Sequence, residues 1–475
     1  MNEKARHDEY VSPFSARYIS PEMSRLFSAQ YKITTFRRLW IALAKAEQKL
    51  GLPITKKQID QMQKHLHKID FAKAEEYEKR FRHDIMAHIH TFSDQCPDAK
   101  PIIHLGATSS YVTDNADLIQ LKEALSHLHK KLLHILRLLA KFAQKEASTP
   151  CLSYTHFQPA QPTTVGKRAC LWLQDFLLDA QDWERQITSL PFLGAKGATG
   201  TQASFLSLFD NDASKVLKLE SLIAKEFNFT KILPIAGQTY TRKLDLNILN
   251  SLASFAASAH KMATDIRLLA HENELLESFT KSQVGSSAMP YKRNPIHSER
   301  ICGIARFVIS LSQNPAYTTA TQWLERSLDD SSNRRLAIPE AFLGADALLN
   351  LLSHLISHLT VDRKAALAHL QKQIPHLILE NILMLAVRKG GDRQTLHEKL
   401  RKFSQAALKQ SKPLKYLESI IEKDASFHLK RKDLAPLSRV SSLLGRAPEQ
   451  VKEFLKEEVA PLLRKPNISI PEILI

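Results

Sequence analysis

The chain has 475 residues, of which 44% are hydrophobic and 24% charged, a balance typical of globular proteins and unlike that of disordered ones. Its net charge of +17 suits a basic surface, a nucleic-acid or anionic-membrane partner, or small polyanionic substrates, but the sequence holds no RNA- or DNA-binding signature. The four cysteines lie far apart, which argues against a disulfide framework and against a thiolate zinc site.

The sequence begins with MNEKARHDEY, which is charged and lacks the apolar stretch of a signal peptide. No uninterrupted apolar run in the chain is long enough to span a bilayer. We therefore expect a cytoplasmic protein with no membrane partner.

Only 13 glycines, together with long stretches of Leu, Ala, Lys, Glu and Gln, favour helix. Three segments carry apolar residues at alternating spacings of three and four, the pattern of helices that face their neighbours at a shallow angle. We predict an all-α fold with an N-terminal helical domain (1–108), a central domain of long helices (109–361) and a C-terminal helical domain (362–475). The three series run through residues 118–142, 169–187 and 249–270.

The first long helix is predicted to run from Asp114 to Ala147, with Thr113 or Asp114 as its N-cap and Pro150 beyond its end. At about 1.5 Å per residue, such a helix is about 50 Å long. A helix of that length cannot bury all its apolar positions inside one subunit of this size. We therefore expect the bundle to be shared between subunits.

Four polar segments interrupt the helical pattern, at residues 103–115, 153–162, 282–299 and 323–335. Structural loops and helix starts have the same composition, so composition leaves both readings open for each segment. In 282–299, Gly285, Pro290 and Pro295 prevent a regular helix. A loop with hydroxyls, cations and free backbone donors can close on an anion, and here the side chains are Ser286, Ser287, Lys292, Arg293 and Asn294.

The string GSSAMPYKRNP in this loop resembles the signature of the fumarase/aspartase superfamily. Its AMPYKRNP part is similar to the adenylosuccinate lyase branch, although carboxymuconate cycloisomerases come close enough that the loop alone leaves them open. The segment with His156 resembles the family's THxQPAQP motif, which supplies a catalytic histidine. Residues 103–115 resemble its HxGATS segment, whose Thr–Ser pair, here Thr108 and Ser109, holds a substrate carboxylate.

Residues 323–335 resemble the ERTLDDSANRR element that binds the nucleotide phosphate in that branch; without the resemblance, a charged helix start would explain them. The phosphate ligands implied are Arg326, Ser331 and Arg335. Three further matches complete the resemblance, which covers residues 15 to 465. They are the RY pair Arg17 and Tyr18, the RHD element Arg82, His83 and Asp84, and Gln238 of GQTYTRK.

The resemblance also implies roles in an elimination next to a carboxylate, which needs a base, an acid and fixed positive charge. It makes Ser286 the base that takes the carbon-bound proton, beside the cation Lys292, and His156 the acid that protonates nitrogen, oriented by Glu299. Residue types alone would have suggested a histidine base. His83 joins the catalytic set, and Asn294 and Arg300 join the substrate ligands.

The implied reaction is β-elimination of fumarate from adenylosuccinate, giving AMP, and from succinylaminoimidazole-carboxamide ribotide, giving AICAR, in purine biosynthesis. The implied assembly is a homotetramer whose active sites each draw on three subunits. We expect no metal, no cofactor and no nucleic-acid partner. The alternatives are a sister lyase or cycloisomerase, or a basic helical scaffold that binds nucleic acid; the scaffold would lack a motif Ser, Lys or His, and all are present.

Overall fold

The computed structural model describes residues 10–278, 287–466, 468 and 470. Across this part of the chain, helices dominate, and the strands form two antiparallel sheets of two strands each. This architecture confirms the all-α prediction.

The N-terminal part contains a π-helical turn (Phe14–Tyr18) and five helices. Side chains of Ser, Thr and Asp accept backbone hydrogen bonds at the starts of the first four helices, as these residues commonly do at N-caps. The helices are α1 (Pro21–Leu26), α2 (Ala29–Lys49), α3 (Lys56–Lys64), α4 (Phe71–Phe81) and α5 (Asp84–Gln95).

The central part holds the longest helices and both sheets. Its elements are α6 (Ser109–Lys145), β1 (Pro150–Thr155), β2 (Gln158–Thr164), α7 (Val165–Ser189), α8 (Ala203–Leu208), α9 (Ala213–Glu226), α10 (Lys243–His271), β3 (Leu275–Leu276), α11 (Ile296–Leu311), α12 (Gln313–Thr321), α13 (Asp329–Ser357) and β4 (Thr360–Val361). Strand β1 pairs with β2, and β3 pairs with β4.

The C-terminal part consists of shorter helices. They are α14 (Arg363–Leu377), α15 (Leu379–Arg388), α16 (Arg393–Ala407), α17 (Pro413–Lys423), α18 (Arg431–Leu434), α19 (Val440–Leu443), α20 (Ala447–Phe454) and α21 (Ala460–Leu462). Residues between Ile378 and Leu434 form a second apolar core. The chain then returns to the bundle, where Val451 and Val459 join the main core.

Five long helices, α6, α7, α10, α11 and α13, form a bundle. Helices α6, α10 and α13 begin at one end, because Arg242 before α10 pairs with Asp114 of α6 and Asp330 of α13. We call this the lower end. Helix α7 runs back to the lower end. Backbone N–H groups of the segment after α7 donate hydrogen bonds to the side chain of Asn115 on α6. The β1–β2 hairpin and the start of α11 lie at the opposite, upper end.

The apolar series predicted from spacing face the core of this bundle. The whole first series is buried, as are most members of the other two. Helix α13 is long and apolar enough to cross a membrane by composition alone, but 83% of its most apolar window is buried inside the protein. That burial is what the core helix of a folded domain shows.

Two predictions about α6 are wrong. The helix begins at Ser109, and Asp114 lies inside it, where it pairs with Arg242 instead of capping the N-terminus. The single chain also buries the entire apolar series of α6, through contacts with α7, α13 and α2. The length of α6 therefore does not by itself require a second subunit.

Candidate active site

A cleft of about 1190 Å³ opens at the lower end of the bundle. Its walls come from the α4–α5 corner, the start of α6 and the start of α13. Seven residues predicted to serve the site line it: Arg82, His83, Asp84, Ser109, Arg326, Ser331 and Arg335. The fold thus gathers three separate sequence motifs in one place.

The RHD element forms the corner between α4 and α5. Arg82 ends α4 in the left-handed conformation (φ 54°), which is uncommon for a residue other than glycine. His83 caps α5, and its Nδ1 accepts the Met86 N–H at 3.3 Å. A neutral imidazole that accepts at Nδ1 carries its proton on Nε2, so His83 can donate a hydrogen bond to a ligand.

Arg326 is held beside the start of α6. Its Nη1 donates to Gln238 Oε1 at 2.7 Å and to Ser110 Oγ at 3.3 Å. Gly237 permits this approach, since a Cβ there would lie 2.5 Å from the Glu325 carbonyl oxygen. Arg326 Nε is buried and has no hydrogen-bond partner among the described residues. A buried guanidinium donor without a partner is suited to an anionic ligand.

The start of α13 contributes Ser331 and Arg335 to the cleft. Arg335 pairs with Asp84 at 3.2 Å, and both side chains are substantially exposed. An exposed ion pair contributes little to stability. A phosphate could therefore replace Asp84 as the partner of Arg335 at little cost.

A buried ion network forms the floor of the cleft. Arg242 pairs with Asp114 and Asp330, both at 2.7 Å. Arg334 pairs with Asp245 at 2.7 Å and with Asp117 at 3.0 Å. Burial acts to lower the pKa of each arginine, but the surrounding carboxylates raise both above the ordinary value.

Sequence reasoning missed this network, although several of its members sit inside the predicted motifs. Asp114 belongs to residues 103–115, Arg242 belongs to GQTYTRK, and Arg334 precedes Arg335. Tyr240 sits between the two arginines, with its ring 4.6 Å from the Arg242 guanidinium and its hydroxyl donating to Asp245 Oδ1 at 2.6 Å. The network fixes three chain segments under the cleft.

The described lining of the cleft carries no net formal charge. Six basic and six acidic side chains line it, with histidine counted as neutral. The basic side chains are Lys32, Arg82, Arg242, Arg326, Arg334 and Arg335, and the acidic ones are Glu78, Asp84, Asp114, Asp117, Asp329 and Asp330.

His156 does not line the cleft. It occupies the tip of the β1–β2 hairpin, where Thr155 pairs with Gln158, and it is exposed. His156 and Phe157 both adopt positive φ, at 52° and 57°, which matches a two-residue hairpin turn that usually holds Asn or Gly. Unfavourable backbone of this kind is frequent at functional sites.

Two more predicted catalytic residues, Lys292 and Glu299, also lie at the upper end, together with the predicted ligands Asn294 and Arg300. Lys292 and Asn294 precede α11, Glu299 belongs to its first turn, and Arg300 follows directly. Lys292 and Glu299 are exposed. Ser286, the predicted base, lies outside the described residues.

Two further predicted ligands, Arg17 and Tyr18, lie between these ends. The Tyr18 carbonyl accepts from Asn350 Nδ2 at 2.7 Å, and Asn350 is 21 residues beyond the start of α13. Thr108, the N-cap of α6, adjoins Ser109 but does not line the cleft.

The two ends of the bundle are too far apart for one substrate to bridge. Helix α6 has 37 residues between Ser109 at the cleft and the segment that leads to the hairpin, which corresponds to about 55 Å. A single chain therefore does not bring His156 to Ser109, Arg326 or Arg335.

Comparison with known families covers almost the whole chain. A family model described as Lyase matches residues 8–310, and one described as Adenylosuccinate lyase C-terminus matches residues 377–454. The chain is 46% identical to adenylosuccinate lyase of Saccharomyces cerevisiae, over 95% of each chain. It is 46% identical to that of Schistosoma mansoni, over 96% of each chain.

Solved structures resemble the fold as a whole. A 3-carboxy-cis,cis-muconate lactonizing enzyme from Pseudomonas putida superposes with a TM-score of 0.81 at 21% identity, over 95% of this chain and 100% of that one. A fumarate lyase from Mesorhizobium sp. BNC1 gives a TM-score of 0.80 at 23% identity, over 94% and 100%. These likenesses establish only that the fold is shared. The sequence identities to relatives over almost the full length establish the family as well: the chain belongs to the adenylosuccinate lyase family.

Proposed function

We propose that this protein cleaves adenylosuccinate to AMP and fumarate, and succinylaminoimidazole-carboxamide ribotide to AICAR and fumarate. One observation carries the proposal beyond the general chemistry of the lyases. The structure brings Arg326, Ser331 and Arg335 to the cleft that also holds Ser109 and His83. A substrate without a phosphate would have no use for this group of donors.

The elimination begins at the carbon next to a carboxylate of the succinyl group. We assign the base to Ser286, whose Oγ has already lost its own proton, with Lys292 as the stabilising cation. This alkoxide takes a proton from the carbon and becomes a hydroxyl again, and the electron pair is delocalised into the carboxylate as a dianion. The electrons then form the carbon–carbon double bond as the carbon–nitrogen bond breaks. His156 protonates the departing nitrogen, and Lys292 and Asn294 stabilise the added negative charge.

The charge of the cleft supports a site shared between copies of the chain. The substrate carries about four negative charges, from two carboxylates and a phosphate. A cleft lined by equal numbers of acids and bases offers no net attraction for it. Further cations must approach, and Arg17, Lys292 and Arg300 are the predicted ligands that lie elsewhere on the chain.

The surface of the bundle supports the same assembly. Leu171 and Leu178, two turns apart on α7, are 49% and 58% exposed, and Leu268 of α10 is 42% exposed. Such apolar surface on long helices suits contact with another helical bundle. We infer a homotetramer in which the upper end of one subunit meets the lower end of another.

Two further parts of the proposal concern organisation and location. We retain three domains, at 1–108, 109–361 and 362–475; in support, α6 starts at Ser109 and β4 ends at Val361, one residue before the third domain. We also place the protein in the cytoplasm, where free nucleotide substrates are available, with no nucleic-acid or membrane partner.

The direct test is to incubate the purified protein with adenylosuccinate and measure fumarate and AMP. We expect the two products in equal amounts. Succinyladenosine, which lacks the phosphate, serves as the matched control and should be cleaved far less efficiently. Equal turnover of both compounds would contradict the phosphate assignment, and no fumarate from either would contradict the function.

A further inference from the structure

A buried polar group interrupts the apolar contact between α6 and α13. Lys131 of α6 pairs with Asp346 of α13 and donates to Asn350 Oδ1 at 2.5 Å. The three side chains are 2%, 0% and 3% exposed. The neighbouring positions Leu128 and Leu132 are fully buried and apolar. We refer to Lys131, Asp346 and Asn350 as the buried triad.

Stability alone is a weak reason for the buried triad. Taking a Lys–Asp pair out of water costs about as much as its attraction returns, so well-packed apolar residues would serve the core at least as well. Such a group is tolerated only when its remaining donors and acceptors are satisfied. The partners that satisfy it therefore indicate what it does.

Those partners belong to the N-terminal segment. The Ser20 N–H donates to Asp346 Oδ2 at 2.6 Å, and Asn350 Nδ2 donates to the Tyr18 carbonyl at 2.7 Å. Both bonds join buried side chains to backbone, on either side of Ile19. Ser20 is itself buried, whereas Arg17 is exposed.

The segment also contacts the bundle at Phe14. The ring of Phe14 lies 5.6 Å from that of Phe307 on α11, centroid to centroid. Arg17 and Tyr18 lie between this contact and the buried triad. Their backbone is thus held at both ends while the Arg17 side chain projects to the surface.

We propose that the buried triad is a positioning group that holds Arg17 and Tyr18 in the conformation that binds the substrate phosphate. This inference rests on the proposed function, which makes Arg17 and Tyr18 phosphate ligands. A pre-ordered segment loses little conformational freedom on binding, whereas a loosened one must be ordered by the substrate. The consequence is a change in KM with little change in kcat, because the reacting atoms lie elsewhere.

The test is Asn350→Leu, which keeps a branched side chain on the helix but removes both the donor to Tyr18 and the acceptor of Lys131. We expect KM for adenylosuccinate to rise about tenfold, the equivalent of one lost hydrogen bond, with kcat changed less than about twofold. Amide hydrogen exchange in residues 14–20 should become faster. Ser353→Ala is the matched control, because Ser353 lies one turn further along α13 and is similarly buried.

Unchanged exchange and unchanged KM in Asn350→Leu would overturn the inference. Arg17→Ala separates this failure from failure of the proposed function. If Arg17→Ala leaves KM unchanged, the segment binds no phosphate, and the role of the triad falls together with that of Arg17. The wild-type protein gives an independent check, since the Ser20 amide should exchange more slowly than the other amides of residues 10–20; rapid exchange there would also overturn the inference.

Discussion

Arg334 and Arg335 are neighbours in sequence but serve different purposes. Successive residues of a helix point about 100° apart, so Arg334 is buried in the ion network at the cleft floor while Arg335 is exposed in the open cleft. The sequence motif contains both arginines but does not indicate which one is buried in the network and which one is exposed in the cleft. That distinction depends on the rotation of α13 against α10, which a single sequence does not give.

Arg335→Ala should weaken binding of phosphate-bearing substrates. The loss of one charge-assisted hydrogen bond at an exposed site should raise KM about tenfold. The steady-state KM and kcat for adenylosuccinate measure this. Arg401→Ala is the matched control, because Arg401 is also exposed and also pairs with a carboxylate, Glu398, on α16.

An unchanged KM in Arg335→Ala, or an equal change in the Arg401→Ala control, would count against the phosphate role.

The residues of the lower end could be anticipated from motif resemblance, and the structure brings seven of them together in the cleft. The roles assigned to these residues stay predictions, as does that of Ser286, which lies outside the described residues.

The long helices were the most predictable elements. An apolar residue at every third or fourth position forces one face into the core whatever the remaining sequence, so the series of α6, α7 and α10 could be read directly. The start of α6 could not, because most of residues 109–114 are polar and resemble a capped turn. Their burial under the cleft depends on distant partners such as Arg242.

The β1–β2 hairpin was also outside the reach of sequence patterns. Its strands contain Pro150, Pro159 and Pro162, and prolines normally argue against strands. Here they are tolerated because the hairpin is an isolated pair with free edges among the described strands. The sequence read as a polar turn, and the structure places His156 at its tip.

Helix α2 carries a buried carboxylate that makes a pH-dependent prediction. Glu47 is fully buried, neither carboxylate oxygen has a partner among the described residues, and burial raises its pKa to about 8. In the unfolded chain Glu47 ionises at its ordinary pKa, whereas in the folded chain it stays protonated to a higher pH. The free energy of unfolding is therefore greatest at pH values below the ordinary pKa of glutamate, and it falls as the pH rises from that value toward 8.

Glu47→Met should consequently stabilise the protein, by about 3 kcal/mol at pH 7 on the scale of 1.4 kcal/mol per pKa unit. Its advantage should shrink toward pH 5 and grow toward pH 8. Thermal melting across this range measures the effect, with Glu47→Gln as a variant that cannot ionise but stays polar. If both variants retain the wild-type pH dependence, Glu47 is not the cause.

The assembly of the molecule is what the sequence conveys least. The expectation of a shared bundle rested on the length of α6, and that reason fails because one chain buries its apolar face. Other observations now support the assembly: the neutral cleft, the exposed leucines of α7, and the length of about 55 Å between Ser109 and the hairpin. None of these is visible without the fold.

The net charge of +17 can be interpreted at the scale of the whole molecule. It is not concentrated in the cleft of the single chain, whose described lining is balanced. A basic exterior can instead attract small anions toward the molecule over distances of about 10 Å at moderate salt. In the proposed shared site, the local binding charge is supplied where the subunits meet.

The measurement that tests the shared site most directly is complementation between two inactive variants. Ser286→Ala and His156→Ala should each fold and each lose at least about 99% of turnover, as expected for removal of a positioned base or acid. Coexpressed in equal amounts, they should form mixed tetramers that regain about a quarter of the wild-type activity, because a quarter of the sites draw both intact residues from different subunits. If the mixed tetramers are no more active than the separate variants, the base and the acid do not come from different copies of the chain.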